Sequence, residues 1–250
     1  EYTPENFLRV ADGIIAWKKA DNGSEPDGYL INDKYLENAG TTPGDWYPIA
    51  LGRLGIQDNN EGYLAVIKDR VEERYRESGR LSAAKATEWH RIALAVLAMG
   101  GDPTNFGTDE NGAPINLIAD GTYDRGKTTP LGRQGINGWI WGLITLDSMR
   151  YAVPDGAYNT RDDIIVEIIS KQLSDGGFAL SSDDADPDIT AMAITALAPY
   201  YNSEKIYSYH RKALSADESK TVHEVVDEAV LCLSRLQLDT GDYKSWGTQN

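Results

Sequence analysis

The sequence is poor in the side chains that most often build metal-binding centres. It has one cysteine, Cys232, and three histidines among 250 residues. A single cysteine excludes an intrachain disulfide and any zinc site built from several cysteines. The three histidines show no paired spacing such as H-x-x-x-H, which a zinc site favours. We therefore expect no zinc centre, and we expect Cys232 to be a buried structural thiol.

Long apolar runs and positive charge are also scarce. No apolar run approaches the ~18 residues of a transmembrane helix, so we expect no membrane insertion. Lys and Arg number 24 against 39 Asp and Glu, which gives a net charge of -15. This charge argues against nucleic acid or an anionic membrane as a partner, because both would be repelled. The 41% of apolar residues is enough for a globular core.

Four apolar segments repeat along the chain and align without a gap. Each begins with Asp, Glu or Asn, has a small sixth residue and ends with Leu. They are "DWYPIALGRL" from Asp45, "EWHRIALAVL" from Glu88, "NGWIWGLITL" from Asn137 and "DITAMAITAL" from Asp188, and they start 43, 49 and 51 residues apart. This spacing is typical of a helical hairpin repeat. Because the segments are apolar almost all round, they predict inner helices that are packed on every side.

The stretches before and between these segments predict a second, outer set of helices. Most are amphipathic, with apolar residues every 3 to 4 positions. They are "TPENFLRVADGIIAWKK", "EGYLAVIKDRVEERYRES", the short "APINLIAD", "TRDDIIVEIISKQL" and "KTVHEVVDEAVLCLSRLQL". The pattern Q-x-x-x-G-x-aromatic occurs twice at outer-helix ends, as "QLSDGGF" and "QLDTGDY". Here the glycine predicts a left-handed cap that turns the chain.

This turn, followed by a small-residue inner helix, resembles the QW-type repeat of the terpene cyclase and protein prenyltransferase superfamily. The resemblance implies an all-α, α/α-toroid fold, a single domain over residues 1–250 with four to five hairpins. "SWGTQN" stands where a fifth inner helix would begin. A closed toroid takes about six hairpins, so we expect an incomplete ring and a fragment of a longer protein.

Three phrases are similar to the toroid modules of bacterial cell-surface proteins related to transcobalamin and intrinsic factor. They are "EWHRIALAVLAMGGDPTNF", "GINGWIWGLITLDSMRYAVPDG" and "DPDITAMAITALAPYY". The resemblance implies a secreted or cell-surface location and a corrinoid as candidate ligand. It also implies that the partners are a small molecule or adjacent domains of the same polypeptide. On this basis we expect a non-catalytic binding or structural module.

The residues at the starts of the inner helices are the candidate ligand-binding set, because a ring would gather them at one mouth. Aromatic walls with a few polar groups suit a flat organic ligand or a sugar. The set comprises Trp46, Tyr47, Glu88, Trp89, His90, Asn137, Trp139, Trp141, Asp188 and Thr190. The alternative is that these side chains pack against loops.

The acidic stretch "SSDDADPDITA" offers an enzymatic alternative. Squalene-hopene-type cyclases carry D-x-D-D-T-A at this place, and Asp186 and Asp188 match two of its aspartates, whereas Ile189 replaces the third. The loss of one carboxylate weakens a Brønsted acid of this kind. The alternative is thus a cyclase-like or polysaccharide-acting enzyme with Asp186, Asp188 and Glu88 as its acidic residues.

Two further interpretations of the chain remain open. Asp183, Asp184 and Asp186 could hold a calcium ion, although the loop lacks the Gly and Glu of an EF-hand. Acidic residues are also favoured at a helix start by capping and by the helix dipole, without any ligand. Finally, the chain could be a scaffold that presents its outer helices to another protein.

Overall fold

The structure is a computed structural model that describes residues 3–125 and 129–249, and the part it describes is mostly helical. Ten α-helices are present in these residues: α1 (Pro4–Asn22), α2 (Asp33–Leu36), α3 (Thr42–Leu54), α4 (Asn60–Ser78), α5 (Thr87–Ala98), α6 (Leu117–Gly121), α7 (Ile136–Asp147), α8 (Arg161–Ile169), α9 (Pro187–Leu197) and α10 (Val222–Leu236). The four predicted inner segments form α3, α5, α7 and α9, and the predicted outer segments form α1, α4, α6, α8 and α10. Among the described helices, none has both the length and the apolar composition needed to cross a bilayer.

The chain divides into two compact units. Unit 1 comprises Glu1–Leu81 and Arg91–Leu117, and unit 2 comprises Ser82–His90 and Ile118–Asn250. The division falls inside α5, between His90 and Arg91. The single toroid domain expected from the repeats stays a prediction.

Unit 1 has its core between α3, α4 and the last two turns of α5. Helix α4 buries four residues spaced four apart: Tyr63, Ile67, Val71 and Tyr75. Helix α3 approaches α5 closely, since a Cβ atom added to Gly52 would lie 2.0 Å from the carbonyl oxygen of Ala98. The small residue in α3 is therefore required by close packing of the two backbones.

Unit 2 packs α7 against α8 and α9, and α9 against α10. Helix α7 has no exposed residue, as its apolar composition predicts. Helix α10 buries one stripe, which consists of Val222, Val225, Val226, Ala229 and Cys232. The expectation that Cys232 is a buried thiol is confirmed.

The Q-x-x-x-G pattern forms the same turn in both places. The side-chain amide of Gln172 donates to the carbonyl oxygen of Gly176 at 2.8 Å, and that of Gln237 donates to the carbonyl oxygen of Gly241 at 2.8 Å. Gly176 and Gly241 have φ values of 89° and 90°, in the left-handed region that favours glycine. Gln172 is also buried and donates a second bond, at 2.9 Å, to the carbonyl oxygen of Val225 in α10.

The expectation of an all-α chain is wrong in one respect, because residues 3–125 and 129–249 include four short strands. Strands β1 (Ile206–Arg211) and β2 (Ala216–Thr221) form an antiparallel pair, with Ile206 opposite Thr221. Residues of "IYSYHR" alternate strictly between exposed and buried, which is the period of a half-buried strand. Tyr207, Tyr209 and Arg211 supply the buried face.

The expected start of a fifth inner helix at "SWGTQN" is also wrong. Strands β3 (Lys244–Ser245) and β4 (Thr248–Gln249) pair here as a small antiparallel hairpin. Trp246 and Gly247 form its two-residue turn, with φ values of 52° and 79°. Positive φ at both central residues is the geometry that joins hairpin strands tightly, and Gly247 supplies the residue that favours it.

The two Q-x-x-x-G turns predict an unequal response to the same substitution. Changing Gln172 to Ala removes two buried hydrogen bonds: it takes the side-chain donor from the Gly176 carbonyl and breaks the link to the Val225 carbonyl, which keeps only its donor within α10. We expect the free energy of unfolding to fall by roughly 2–3 kcal/mol. Gln237→Ala is the matched control, because Gln237 is exposed, and we expect a loss below about 1 kcal/mol. Urea denaturation measures both values, and equal losses would contradict this account of the buried turn.

Candidate functional site

The predicted ligand-binding residues lie in three different surroundings, at the starts of α3, of α5 and α7, and of α9. At the start of α3, Trp46 is exposed and Tyr47 is half-buried. The ammonium group of Lys18 lies 5.7 Å from the centre of the Tyr47 ring. These two aromatic residues are therefore accessible on the surface of unit 1.

Asp45, which precedes Trp46, is completely buried in an ion pair. One of its carboxylate oxygens accepts hydrogen bonds from the Tyr63 hydroxyl and the Gly40 amide, both at 2.7 Å. The other accepts a bond from Nε of Arg91 at 2.7 Å, and the guanidinium also donates to the Gly40 carbonyl oxygen. Burial raises the pKa of Asp45, and these donors oppose that shift. These donors come from Gly40, from Tyr63 in α4 and from Arg91 in α5, so Asp45 ties α3 to α4 and α5.

The start of α5 packs its aromatic side chains inside unit 2. Trp89 is fully buried, and the guanidinium of Arg125 lies 5.7 Å from its ring centre. His90 is also buried, and its Nε2 lies 2.7 Å from the carbonyl oxygen of Gly121. A carbonyl can only accept, so Nε2 donates and carries the proton. Trp89 and His90 thus pack in the core, and Glu88 beside them is half-buried.

The imidazole of His90 is held in its neutral form. Burial lowers its pKa to about 3, and the positive charge of Arg125 acts in the same direction. The other ring nitrogen, Nδ1, is buried and has no hydrogen-bond partner among the described residues. A neutral imidazole this deep does not exchange protons with a ligand at neutral pH.

The start of α7 holds Asn137, Trp139 and Trp141, all half-buried. The Lys171 ammonium lies 5.9 Å from the centre of the Trp139 ring. On another side, a Cβ atom added to Gly132 would approach the indole nitrogen of Trp139 to 2.6 Å. Trp139 is therefore held between a neighbouring loop and a lysine. The side-chain oxygen of Asn137 is buried without a hydrogen-bond partner among residues 3–125 and 129–249.

The start of α9 is organised by Asp186. One of its carboxylate oxygens accepts the Ile189 amide at 3.0 Å, as an N-cap does, and the other accepts the Ser245 hydroxyl at 2.6 Å. Thr190 is buried, and its hydroxyl donates to the Asp186 carbonyl oxygen and accepts from the Phe178 amide. Asp188 is exposed. The expectation that this acidic stretch includes a helix start is confirmed.

A surface cavity of about 290 Å³ adjoins this helix start. We call it the α9 cavity, and it is lined by Ala179, Leu180, Ser181, Ser182, Asp184, Ala185, Asp186, Pro187, Lys244 and Trp246. Trp246 is 74% exposed. Its backbone φ is 52°, in the left-handed region, which is strained for a bulky side chain. An aromatic plane beside hydroxyl and carboxylate oxygens suits a neutral ligand that carries hydroxyl or amide groups.

The lining residues Lys244 and Trp246 are absent from the predicted site. Trp246 lies in "SWGTQN" and Lys244 directly precedes that segment, which the repeat predicts to be the start of an inner helix. The Trp-Gly dipeptide is the signal that favours a turn instead. Of the predicted site residues, only Asp184 and Asp186 line the α9 cavity.

The predicted acidic residues are not assembled as a metal cluster. Across the described ranges, no group of three or more His, Cys, Asp or Glu side chains is placed to hold a metal ion. Asp183 and Asp184 are exposed, and Asp186 is engaged by Ile189 and Ser245. Calcium binding at these three residues stays a prediction.

The buried histidine predicts a pH dependence of stability. In the unfolded chain a histidine binds a proton below about pH 6.5, whereas His90 in the folded chain stays neutral down to about pH 3. The unfolded state therefore gains protons first as the pH falls, and stability declines by about 1.4 kcal/mol per pH unit below 6.5. We expect a loss of about 2 kcal/mol between pH 7 and pH 5 from this group.

Urea denaturation at pH 7, 6 and 5 measures this decline in the wild type and in His90→Gln. The variant should lose most of the slope in this window. His223→Gln, which replaces an exposed histidine, should keep the wild-type slope. An unchanged slope in His90→Gln would show that another group causes the decline.

Asp45 and Asp188 occupy equivalent positions in the repeat, but we expect the same Asp→Asn substitution to lower the free energy of unfolding by different amounts at the two positions. Asp45→Asn leaves the guanidinium of Arg91 buried without its counter-ion, and breaking a buried pair costs about 3–5 kcal/mol. Asp188→Asn is the matched control, because Asp188 begins the same aligned segment but is exposed, and its effect should stay within about 0.5 kcal/mol. Thermal and urea unfolding test both variants, and similar stabilities would refute the structural role of Asp45.

Scans against protein-family models, curated proteins and solved structures found no match to this chain.

Proposed function

We propose that this chain is a non-catalytic binding module that holds a neutral small ligand in the α9 cavity. The observation that carries the proposal is the position of Trp246, whose indole is presented to solvent on a strained turn beside the cavity. Strain of this kind persists only where the surrounding structure enforces it, and such positions concentrate at ligand sites.

The state of Asp186 supports binding over catalysis. In the enzymatic alternative this residue would supply the acid. Both of its carboxylate oxygens instead accept hydrogen bonds, from Ile189 and Ser245. Both oxygens are thus engaged in holding the protein's own structure, one in capping α9 and the other in anchoring the β3–β4 hairpin.

The charge around the cavity restricts the ligand. Asp183, Asp184 and Asp188 are exposed near this helix start, and the whole chain carries a net charge of -15. The lining also holds one ammonium group, that of Lys244, but the carboxylates outnumber it, so a neutral ligand is favoured over an anionic one, and its hydroxyl and amide N–H groups would find acceptors. The indole adds a flat apolar surface for stacking.

We also propose that the chain has an α/α-toroid fold, that it is located at the cell surface and that its ligand is a corrinoid. The alternation of apolar and amphipathic helices and the two equal Gln-Gly turns support a toroid repeat. A corrinoid is flat and carries amide groups on its rim, so one edge of it suits the α9 cavity. A cavity of about 290 Å³ is smaller than common ligand pockets, so it would enclose only that edge.

Isothermal titration calorimetry of the purified chain tests the proposal. The chain is titrated first with a panel of corrinoids and then with a panel of neutral oligosaccharides. Titrations with calcium and with a chelator test the predicted calcium site at the same time. We expect binding by the wild type and a loss of affinity of about five- to thirtyfold in Trp246→Ala, since stacking on one aromatic ring contributes about 1–2 kcal/mol.

Tyr158→Ala is the matched control, because Tyr158 lies in unit 2 and is 72% exposed, nearly as much as Trp246. It should bind as the wild type does. If Trp246→Ala still binds a corrinoid as tightly as the wild type does, the ligand binds at a site other than the α9 cavity. Binding of an oligosaccharide alone would retain the α9 cavity and reject the corrinoid, and no binding in either panel would contradict the proposal.

A further inference from the structure

Helix α1 leaves one whole apolar stripe in solvent. Phe7, Val10, Ile14 and Trp17 are 63%, 55%, 50% and 62% exposed, and we call these four residues the α1 seam. Single exposed apolar residues are ordinary, but a contiguous stripe of four marks an interaction surface. Full burial of one such side chain is worth about 1.5–3 kcal/mol, so the exposed seam is costly.

The seam borders a groove of about 500 Å³ between α1 and α3. Every residue that lines it is in unit 1: Phe7, Val10, Ala11, Ile14, Ile15, Tyr47, Ala50, Arg53 and Leu54. Arg53 is the only charged residue of the lining. The α3 side contributes Tyr47, Ala50 and Leu54, which follow helical spacing, so two helices present parallel apolar rows to whatever fills the groove.

The spacing of the seam fits another helix. Its members are separated by 3, 4 and 3 residues, which is the alternation of a two-helix seam. Gly13 lies beside it, and a Cβ atom added there would have no neighbour within 4 Å. Glycine inside a helix costs about 1 kcal/mol relative to alanine, and it permits a second backbone to approach closely.

We propose that the α1 seam is a self-association surface, on which α1 of a second copy of this chain lies antiparallel. Phe7 and Trp17 are equally distant from position 12, and so are Val10 and Ile14. A two-fold axis at that level therefore places Phe7 opposite Trp17 of the second copy and Val10 opposite Ile14. The seam is complementary to itself, as an isologous interface requires.

The charges beside the seam favour the antiparallel direction. The same two-fold axis sets Lys18 opposite Asn6 of the second copy and Asp21 opposite Thr3. A parallel pair in register would instead set Lys18 against Lys18 and Asp21 against Asp21, which repel. Antiparallel helix dipoles also attract each other.

The charge of the whole helix identifies α1 as a surface on which two copies can meet. A chain with a net charge of -15 repels its own copies. Helix α1 carries three acidic and three basic residues, so it has no net charge: Glu5, Asp12, Asp21, Arg9, Lys18 and Lys19. Contact along α1 therefore adds little direct repulsion, and added salt should strengthen the dimer by screening the rest.

The area is sufficient for a weak dimer. Aromatic side chains such as Phe7 and Trp17 bury about 150–250 Å² each when covered. With Val10, Ile14 and the α3 side of the groove, two copies would bury on the order of 1,000 Å² together, the lower limit of specific interfaces. We therefore expect a dimer that dissociates in the micromolar range.

Sedimentation velocity of the purified 250-residue chain tests this at about 1 to 200 µM. The wild type should shift from monomer to dimer, and Ile14→Asp should stay monomeric throughout. Val230→Asp is the matched control, because Val230 also lies on a helix and is 49% exposed, like Ile14 at 50%. It should dimerise as the wild type does. Circular dichroism and urea unfolding check that both variants fold.

Disulfide trapping tests the register. Under mild oxidation, Val10→Cys mixed with Ile14→Cys should give a crosslinked dimer, and each variant alone should give much less. Efficient crosslinking of each variant alone would indicate a parallel pair and overturn the proposed arrangement. A wild type that stays monomeric at 200 µM, or a dimer that survives in Ile14→Asp, would overturn the self-association itself and leave the groove to a different partner.

Discussion

The fold of unit 2 depends on one neutral side-chain amide. The amide of Gln172 binds the carbonyl oxygen of Gly176 and that of Val225, so it closes the turn after α8 and attaches it to α10. The segment that follows this turn is attached to α9, because the Phe178 amide donates to the Thr190 hydroxyl in the first turn of that helix. The loop that lines the α9 cavity begins immediately after Phe178 and ends at Asp186. The position of the α9 cavity therefore depends on the Gln172 turn.

Much of this order could be predicted from the sequence, because it follows from local rules. Apolar positions at helical spacing located all nine predicted helices, and the repeated Q-x-x-x-G located both turns. The strands β1 to β4 were missed. The alternation in "IYSYHR" is only six residues long, and the repeat predicts a further inner helix where the Trp-Gly turn lies. A repeat predicts where the next unit should begin, but it does not show that the unit is present.

The candidate site was harder to predict, because sequence equivalence does not fix the environment. Asp45 and Asp188 begin aligned segments, yet Asp45 is buried against Arg91 and Tyr63 whereas Asp188 is exposed. Trp46 and Trp89 follow the first residue in the same way, and only Trp46 reaches solvent. The members of each pair differ in the segments of the same chain that pack against them. Asp45 is buried by an arginine on α5, and Trp89 is buried by the Gly121 turn and Arg125. These neighbours are distant in sequence, so the alignment contains no information about them.

The α9 cavity and the α1 seam both present exposed aromatic side chains, but they differ in what their surroundings can recognise. Trp246 stands alone beside carboxylate and hydroxyl oxygens, so the free energy available there comes from one stacked ring and a few directional hydrogen bonds, which suits a small polar ligand. The α1 seam has four apolar side chains in a row, and the groove beside it has a single charge, Arg53. Its lining is mostly apolar, with Tyr47 and Arg53 as its polar side chains, so a second helix with matching spacing would be oriented chiefly by shape. The chemistry of the two surfaces therefore favours the proposed ligand site in unit 2 and the proposed self-association through unit 1 as separate roles.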